Sequence, residues 1–214
     1  MKLSDKLPQD FTNIIFDFGG VIMDVNIGKT IIAFDQLNIE GLKVDDIISA
    51  HKSYLYDLEV GNITPEEFIS SIYKEYPTAV NATDKQIWNA WNALLQPYDP
   101  ARIALVDEIR KHYRTYLLSN TNFPHRIKFR EMYRKQFDEN LEDLFIECFY
   151  SDEMHMRKPD IEIYEEVIKR TRINPSKTLF IDDNEANITG AQKAGLLTYH
   201  LAGSEKITDL FSVE

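Results

Sequence analysis

Apolar positions change period twice along the chain, and the changes mark its organisation. Asn13-Ile14-Ile15-Phe16 is a short apolar run that ends at Asp17 and Gly19-Gly20, the pattern of a buried strand opening into a loop. Residues 1–12 read as a loose lead-in, 13–17 as the first strand and 18–26 as a Gly-rich loop. From about Ile27 to Leu95 strand-like runs disappear and helical spacing takes over. Helices are predicted over Gly28–Asn38 (Ile31, Ile32, Phe34, Leu37) and over Asp45–Leu58 (Ile47, Ile48, Leu55, Leu58), the latter ending near Gly61. Thr64-Pro65-Glu66-Glu67 and Thr83-Asp84-Lys85-Gln86 are capping boxes. The apolar stripes that follow them, through Phe68, Ile72 and Tyr76 and through Ile87, Trp88 and Trp91, belong to a helical core rather than to a cofactor box.

Past Pro97 and Pro100 the two periods alternate. A helix is expected over Ala101–Tyr113, a strand over Thr115–Leu118, a helix over Phe123–Phe137 and a strand over Ile146–Tyr150. A helix over Asp160–Thr171, a strand over Thr178–Ile181, a helix ending at Ala194 before Gly195, and a last strand over Leu197–His200 complete the series. Strands separated by helices imply βαβ units and a parallel sheet. The expected architecture is α/β: a Rossmann-like parallel sheet flanked by helices, built from 1–26 and 97–214, with 27–96 inserted as an all-helical unit.

Composition narrows the class. With 214 residues, 43% hydrophobic and 28% charged, the chain is globular, and no apolar run has the length of a membrane span. The net charge of −11 disfavours nucleic acid, whose binding needs clustered cations, but leaves room for a small anionic ligand held locally. A single cysteine, Cys148, and a start without a signal-peptide core point to the cytoplasm. Nothing in the sequence bears on oligomeric state.

The chemistry gathers at strand ends. Asp17, Ser119 and Asp182-Asp183 would all lie along one carboxyl edge, where ligands bind in open α/β sheets. Arg157-Lys158-Pro159-Asp160 precedes a helix whose first turn suits Pro159 and Asp160, which leaves Lys158 at its mouth. Three carboxylates there stay ionised together only around a cation, and a hard oxygen set without His or Cys suits Mg²⁺. Ser119, Lys158 and the backbone N–H groups of Phe18 and Asn120, which follow Asp17 and Ser119, would hold phosphate oxygens.

In that order the residues resemble the four motifs of the haloacid dehalogenase (HAD) superfamily: 13–24 the first, Leu117-Leu118-Ser119-Asn120 the second, Arg157-Lys158-Pro159-Asp160 the third, and 180–187 the fourth. The helical insertion is similar to the family's C1 cap. The resemblance implies a Mg²⁺-dependent phosphatase of small phosphorylated metabolites. Asp17 would be nucleophile and metal ligand, joined by the Gly19 carbonyl and Asp183, with Asp182 close behind through water. Lys158 and Ser119 would bind phosphate, and Asn187 would orient the acidic loop.

One departure matters. Phosphatases of the superfamily usually carry a second Asp two places after the nucleophile as proton donor, and here that place is Gly19. The alternatives are a metal-independent 2-haloacid dehalogenase, which has no use for Asp182-Asp183, and a non-catalytic phosphate-binding relative. The stretch Phe16–Ile22, with Leu118–Asn122 and Asp182–Asn184, resembles the bacterial α-D-glucose-1-phosphate phosphatase branch, which also has Gly there. That similarity implies a sugar phosphate whose anomeric oxygen leaves with less acid help. His155 could stand in as acid but reads more readily as a loop residue. Asp24 matches a place where the superfamily often has an acid, in the flap that meets the cap, and reads equally as a solvated loop residue. Arg157 could contact substrate but reads more readily as a surface residue at a helix start. Glu59–Asn62, between cap helices, either faces the site or makes a simple turn.

Overall fold

The computed structural model describes residues 1–43 and 53–212. Its centre is a five-stranded parallel sheet of β2 (Asn13–Phe16), β3 (Arg114–Ser119), β4 (Glu147–Tyr150), β5 (Thr178–Asp182) and β6 (Leu197–His200), in the order β4-β3-β2-β5-β6. The chain enters at the middle strand, builds outward through β3 and β4, then crosses to the other side for β5 and β6. That reversal opens a crevice at the carboxyl ends of the central strands. Register is fixed by pairs such as Phe16 with Leu117 on one side and with Ile181 on the other.

The sheet strands are apolar without alternation because both faces are covered. Ile14, Phe16, Leu117 and Ile181 face one hydrophobic cluster, shared with the helices Pro100–Ile109 and Phe123–Phe137. Ile15, Tyr116, Leu118 and Phe180 face the other, against the helices Ile161–Thr171 and Glu185–Lys193. Each such core side chain contributes about 1.5–3 kcal/mol by leaving water.

The helical segment has a hydrophobic cluster of its own around Phe34, Phe68, Ile72, Ile87 and Trp91. Its helices are Ile27–Asp35, Ser53–Glu59, Pro65–Glu75 and Asp84–Trp91. Thr64 and Thr83 both form the expected reciprocal capping boxes, with Glu67 and Gln86. The start of the helix expected over Asp45–Leu58, with Ile47 and Ile48, lies outside the described residues. The two passages into this segment run side by side: Val25 bridges Leu95 in antiparallel fashion, the Asn26 N–H donates to Leu94 O, and the Gln96 N–H donates to Asp24 O.

Three local features differ from the sequence pattern. A two-stranded ribbon pairs β1 (Lys2–Leu3) with β7 (Phe211–Ser212), elements too short to show a period. A short helix, Ser151–Met154, follows β4. The helix expected over Asp160–Thr171 begins at Ile161, with Asp160 as its N-cap, so Pro159, expected in its first turn, belongs to the preceding loop.

Next to the paired passages, Trp91 meets the helix Phe123–Phe137. Its ring stacks on His125 (centroids 5.2 Å apart), and the His125 ring nitrogen Nε2 lies 3.1 Å from Trp91 O. Nδ1 lies 3.1 Å from the Asn122 side-chain amide. Both nitrogens are thus used by a neutral ring, and burial lowers the His125 pKa from 6.5 to about 4. A base with a lowered folded pKa contributes full stability above its unfolded value and loses it as pH falls from 6.5 toward 4. Between pH 7.5 and 5 this one group should cost about 2 kcal/mol. Urea melts of the wild type and His125→Gln at the two pH values check it, and an unchanged pH dependence in the variant would show that His125 is not the source.

Candidate active site

Three adjacent strands, β3, β2 and β5, deliver their next side chains to one crevice. Asp17 follows β2 and is buried, its N–H held by Ile181 O at 2.9 Å. Ser119 ends β3 and Asp182 ends β5, the latter with no exposed surface. Lys158, 1% exposed, reaches between the carboxylates: Nζ lies 2.5 Å from Asp17 Oδ1, 2.7 Å from Asp182 Oδ2 and 3.0 Å from Leu118 O. All three ammonium donors are therefore used, as a buried charge requires.

Asp182 is held from its other side by Asn187 Nδ2 (3.0 Å to each oxygen) and by the Asn184 N–H (2.8 Å). Asp183, though exposed, comes inward over Gly20. A Cβ on Gly20 would stand 2.1 Å from Asp183 Oδ2, and the residue's φ is +75°, so glycine is required twice over. The result is a triad, Asp17, Asp182 and Asp183, with one carboxylate oxygen from each within 4.8 Å of the others.

This negative charge is only partly compensated. Burial raises the Asp17 pKa to about 7 against the pull of the Lys158 ammonium, and Asp182 pushes it further up. Burial and Asp182 raise Asp183 as well. For Lys158 burial disfavours the charge, yet Asp17 and Asp182 together hold its pKa above the ordinary value. The proton of this cluster stays on Lys158, and the acidic triad retains a deficit that a hard divalent cation would fill. The donor set, carboxylate oxygens on a shaped floor, fits Mg²⁺.

The remaining predicted residues fall into place unevenly. The Phe18 side chain packs in the core against Tyr98 and Phe129, and its N–H is directed at the Asp17 carboxylate. The Asn120 side chain clamps the backbone of Lys158, accepting from its N–H (2.9 Å) and donating to its carbonyl (2.8 Å). Asn120 thus fixes the lysine, and only its backbone is left to meet a ligand. Ser119 Oγ has a long contact of 3.4 Å to Asn120 O, so its hydroxyl can re-aim cheaply.

Asp24 keeps 47% of its side chain exposed but is not a free loop residue. Buried Arg102 grips it with Nη1 and Nη2 at 3.1–3.3 Å, and Lys206 Nζ lies 2.9 Å away. Partial burial opposes its charge, but Lys206 and Arg102 hold its pKa below the ordinary value. It anchors the passage into the helical segment. His155 is bonded through Nδ1 to Val60 O (2.9 Å), and Arg157 is paired with Glu59 (2.7 Å). The sequence offers no signal for these long-range partners.

The frame is a doubly wound parallel sheet with a buried carboxylate after its central strand, a buried lysine and an acidic pair at its carboxyl edge. Residues 11–195 match the family model of the haloacid dehalogenase-like hydrolases, and the chain belongs to that family. It is 29% identical over 191 residues to a D-ribitol-5-phosphate phosphatase of Bacteroides thetaiotaomicron, covering 87% of this chain and 90% of that one. It is 28% identical over 198 residues to a sesquiterpene phosphatase of Aspergillus oryzae, covering 91% of each. Among solved structures, a HAD family enzyme from Bacteroides thetaiotaomicron in complex with magnesium and inorganic phosphate superposes with a TM-score of 0.86. That match is at 32% identity and covers 94% of this chain and all of the other.

Proposed function

We propose that the protein is a Mg²⁺-dependent phosphatase of small phosphorylated metabolites, a sugar or polyol phosphate in particular, acting through a phosphoryl group carried on Asp17. The observation that carries this reading is the triad of carboxylates with the Lys158 ammonium between two of them. Phosphoryl transfer needs a nucleophile, charge compensation and positioning, and this edge has all three. The phosphatase relatives and the magnesium–phosphate complex of the structural neighbour support it from outside the chain.

In this reading Asp17, the Gly19 carbonyl and Asp183 hold the metal, and Asp182 stands behind them. Bound there, Mg²⁺ supplies positive charge to the phosphoryl oxygens. Asp17 attacks phosphorus, the bond to the ester oxygen breaks, and that oxygen takes its proton from solvent, since Gly19 offers none. Water then attacks phosphorus, releasing phosphate and restoring the carboxylate. Lys158 keeps Asp17 oriented through Oδ1, and Ser119 with the loop N–H groups receives the transferred group. The helical segment 27–96 acts as the cap over the edge. A metal-independent dehalogenase would still use Asp182 to hold Lys158 but would leave Asp183 without a role.

The test is phosphate release from p-nitrophenyl phosphate. Turnover is expected with Mg²⁺, and Asp17→Asn should lower kcat by about 10³-fold or more. A wild type inert on this ester and on a panel of sugar phosphates would overturn the proposal, and chloride release from 2-chloropropionate without metal would favour the dehalogenase.

A further inference from the structure

The groups gathered on the sheet edge recognise a phosphoryl group, which every phosphate ester shares. They do not distinguish one alcohol from another. The alcohol must lie between the edge and the helical layer, so selection falls on side chains where those two meet.

They meet on two flanks. On one, Trp91, Asn122 and His125 are buried and bonded to one another, with no surface to offer a ligand. On the other, the end of the helix Ser53–Glu59 and the loop after it seat on the segment leading to Lys158. His155 Nδ1 meets Val60 O, and Asp152 O approaches Gly61 so closely that a Cβ there would be 2.1 Å from it. Next along after these contacts, Arg157 Nη1 pairs with Glu59 Oε2 at 2.7 Å, and the guanidinium lies 5.7 Å from the centroid of the Tyr56 ring. Among the ion pairs of the described residues, this one crosses from the helical layer to the edge. Both side chains keep surface, 27% for Arg157 and 23% for Glu59. Tyr56 is exposed. Arg157 is the residue before Lys158, so its Cα lies one step, about 3.8 Å, from that of the phosphate-side lysine.

We propose that Glu59 and Arg157 form the subsite for the hydroxyl-bearing chain of the substrate, Glu59 accepting from hydroxyls and Arg157 donating to them, and so select polyhydroxy phosphates over apolar alkyl or prenyl phosphates. This inference rests on the phosphatase reading. Its physical basis is asymmetric. A polyol can replace the contacts it takes from the pair with hydrogen bonds of its own, while an apolar chain would cover two charges and give nothing back. Substrates as different as a ribitol phosphate and a sesquiterpene phosphate are named for relatives at nearly equal identity, so the choice turns on residues such as these.

The experiment measures kcat/KM with Mg²⁺ for D-ribitol 5-phosphate, hexose 1- and 6-phosphates and n-pentyl phosphate, together with inhibition by inorganic phosphate. The wild type should prefer the best polyhydroxy ester to pentyl phosphate by at least about tenfold. Glu59→Ala and Arg157→Ala should each reduce that ester by roughly 10- to 100-fold. Pentyl phosphate turnover and phosphate inhibition should change by less than about threefold, with Arg157→Lys intermediate. Equal losses on every ester and on phosphate would assign the pair a structural role and overturn the inference, as would a wild type that turns over p-nitrophenyl phosphate but does not distinguish the esters. A wild type inert on p-nitrophenyl phosphate too would instead remove the phosphatase reading beneath it.

Discussion

Replacing Lys158 by Met should all but abolish phosphatase activity and destabilise the fold at neutral pH. The new side chain is of similar length and apolar, so packing is nearly kept and the charge alone is lost. In its place two buried carboxylates, Asp17 and Asp182, would face each other without the ammonium that now lies 2.5 and 2.7 Å from them. Breaking a buried pair by removing one partner typically costs about 3–5 kcal/mol. Here the lower end is expected, because Asp17 is already raised to about 7 and can take up a proton. That relief has a pH signature. Below the raised pKa of Asp17 that carboxyl takes up a proton and the variant recovers, and as pH rises through it the destabilisation grows. Thermal melts without divalent cation at pH 5.5 and 8 should therefore diverge from wild type mainly at pH 8, by about 6–12 °C for a chain of this size. Activity should fall by about 10³-fold or more, since in the proposed mechanism the same ammonium keeps Asp17 ionised and oriented for attack. A Lys158→Met protein as active as wild type, or as stable at pH 8, would remove Lys158 from its assigned place.

Gly19→Asp should raise activity on esters with poor leaving groups. The substitution is sterically open: an added Cβ would meet only Val25, at 3.5 and 3.9 Å, which is ordinary contact. No left-handed backbone stands in its way, in contrast to Gly20 at φ +75°. An Asp there would sit two residues from the nucleophile and could protonate the departing oxygen. A general acid of this kind is worth about 10²–10⁴ in rate when the leaving group needs it. The gain should be largest on hexose 6-phosphates, whose leaving group is a simple alkoxide, smaller on 1-phosphates, and near zero on p-nitrophenyl phosphate. Rates plotted against leaving-group pKa should be steep for wild type and flatter for the variant. Equal slopes would mean that the chain already has a donor, and the leaving-group account of Gly19 would be wrong.

Much of the frame is legible in the sequence. Strands β2, β3 and β5 each combine a buried apolar run with a polar residue at the end, so the meeting of Asp17, Ser119 and Asp182-Asp183 follows from a parallel sheet alone. The capping boxes at Thr64 and Thr83 are local chemistry and are legible for the same reason. What stays hidden depends on partners far away in sequence. Asn120 reads as a ligand-facing residue because its bond to Lys158 spans 38 positions. Asp24 reads as solvated because Arg102 lies 78 positions on. Glu59 reads as part of a stretch that either faces the site or makes a turn and Arg157 more readily as a surface residue than as a substrate contact, and only the fold makes them a pair. The ribbon of β1 with β7 has two residues per strand, too few to carry a period.

The central claim, that Asp17 carries the phosphoryl group, is tested most directly by trapping it. Enzyme mixed with Mg²⁺ and a turned-over ester, quenched in acid within one turnover and digested, should yield a peptide spanning Asp17 that is heavier by one phosphoryl group, and the Asp17→Asn protein should yield none. Steady turnover with no phosphorylated peptide at any quench time, or turnover that survives in Asp17→Asn, would contradict it.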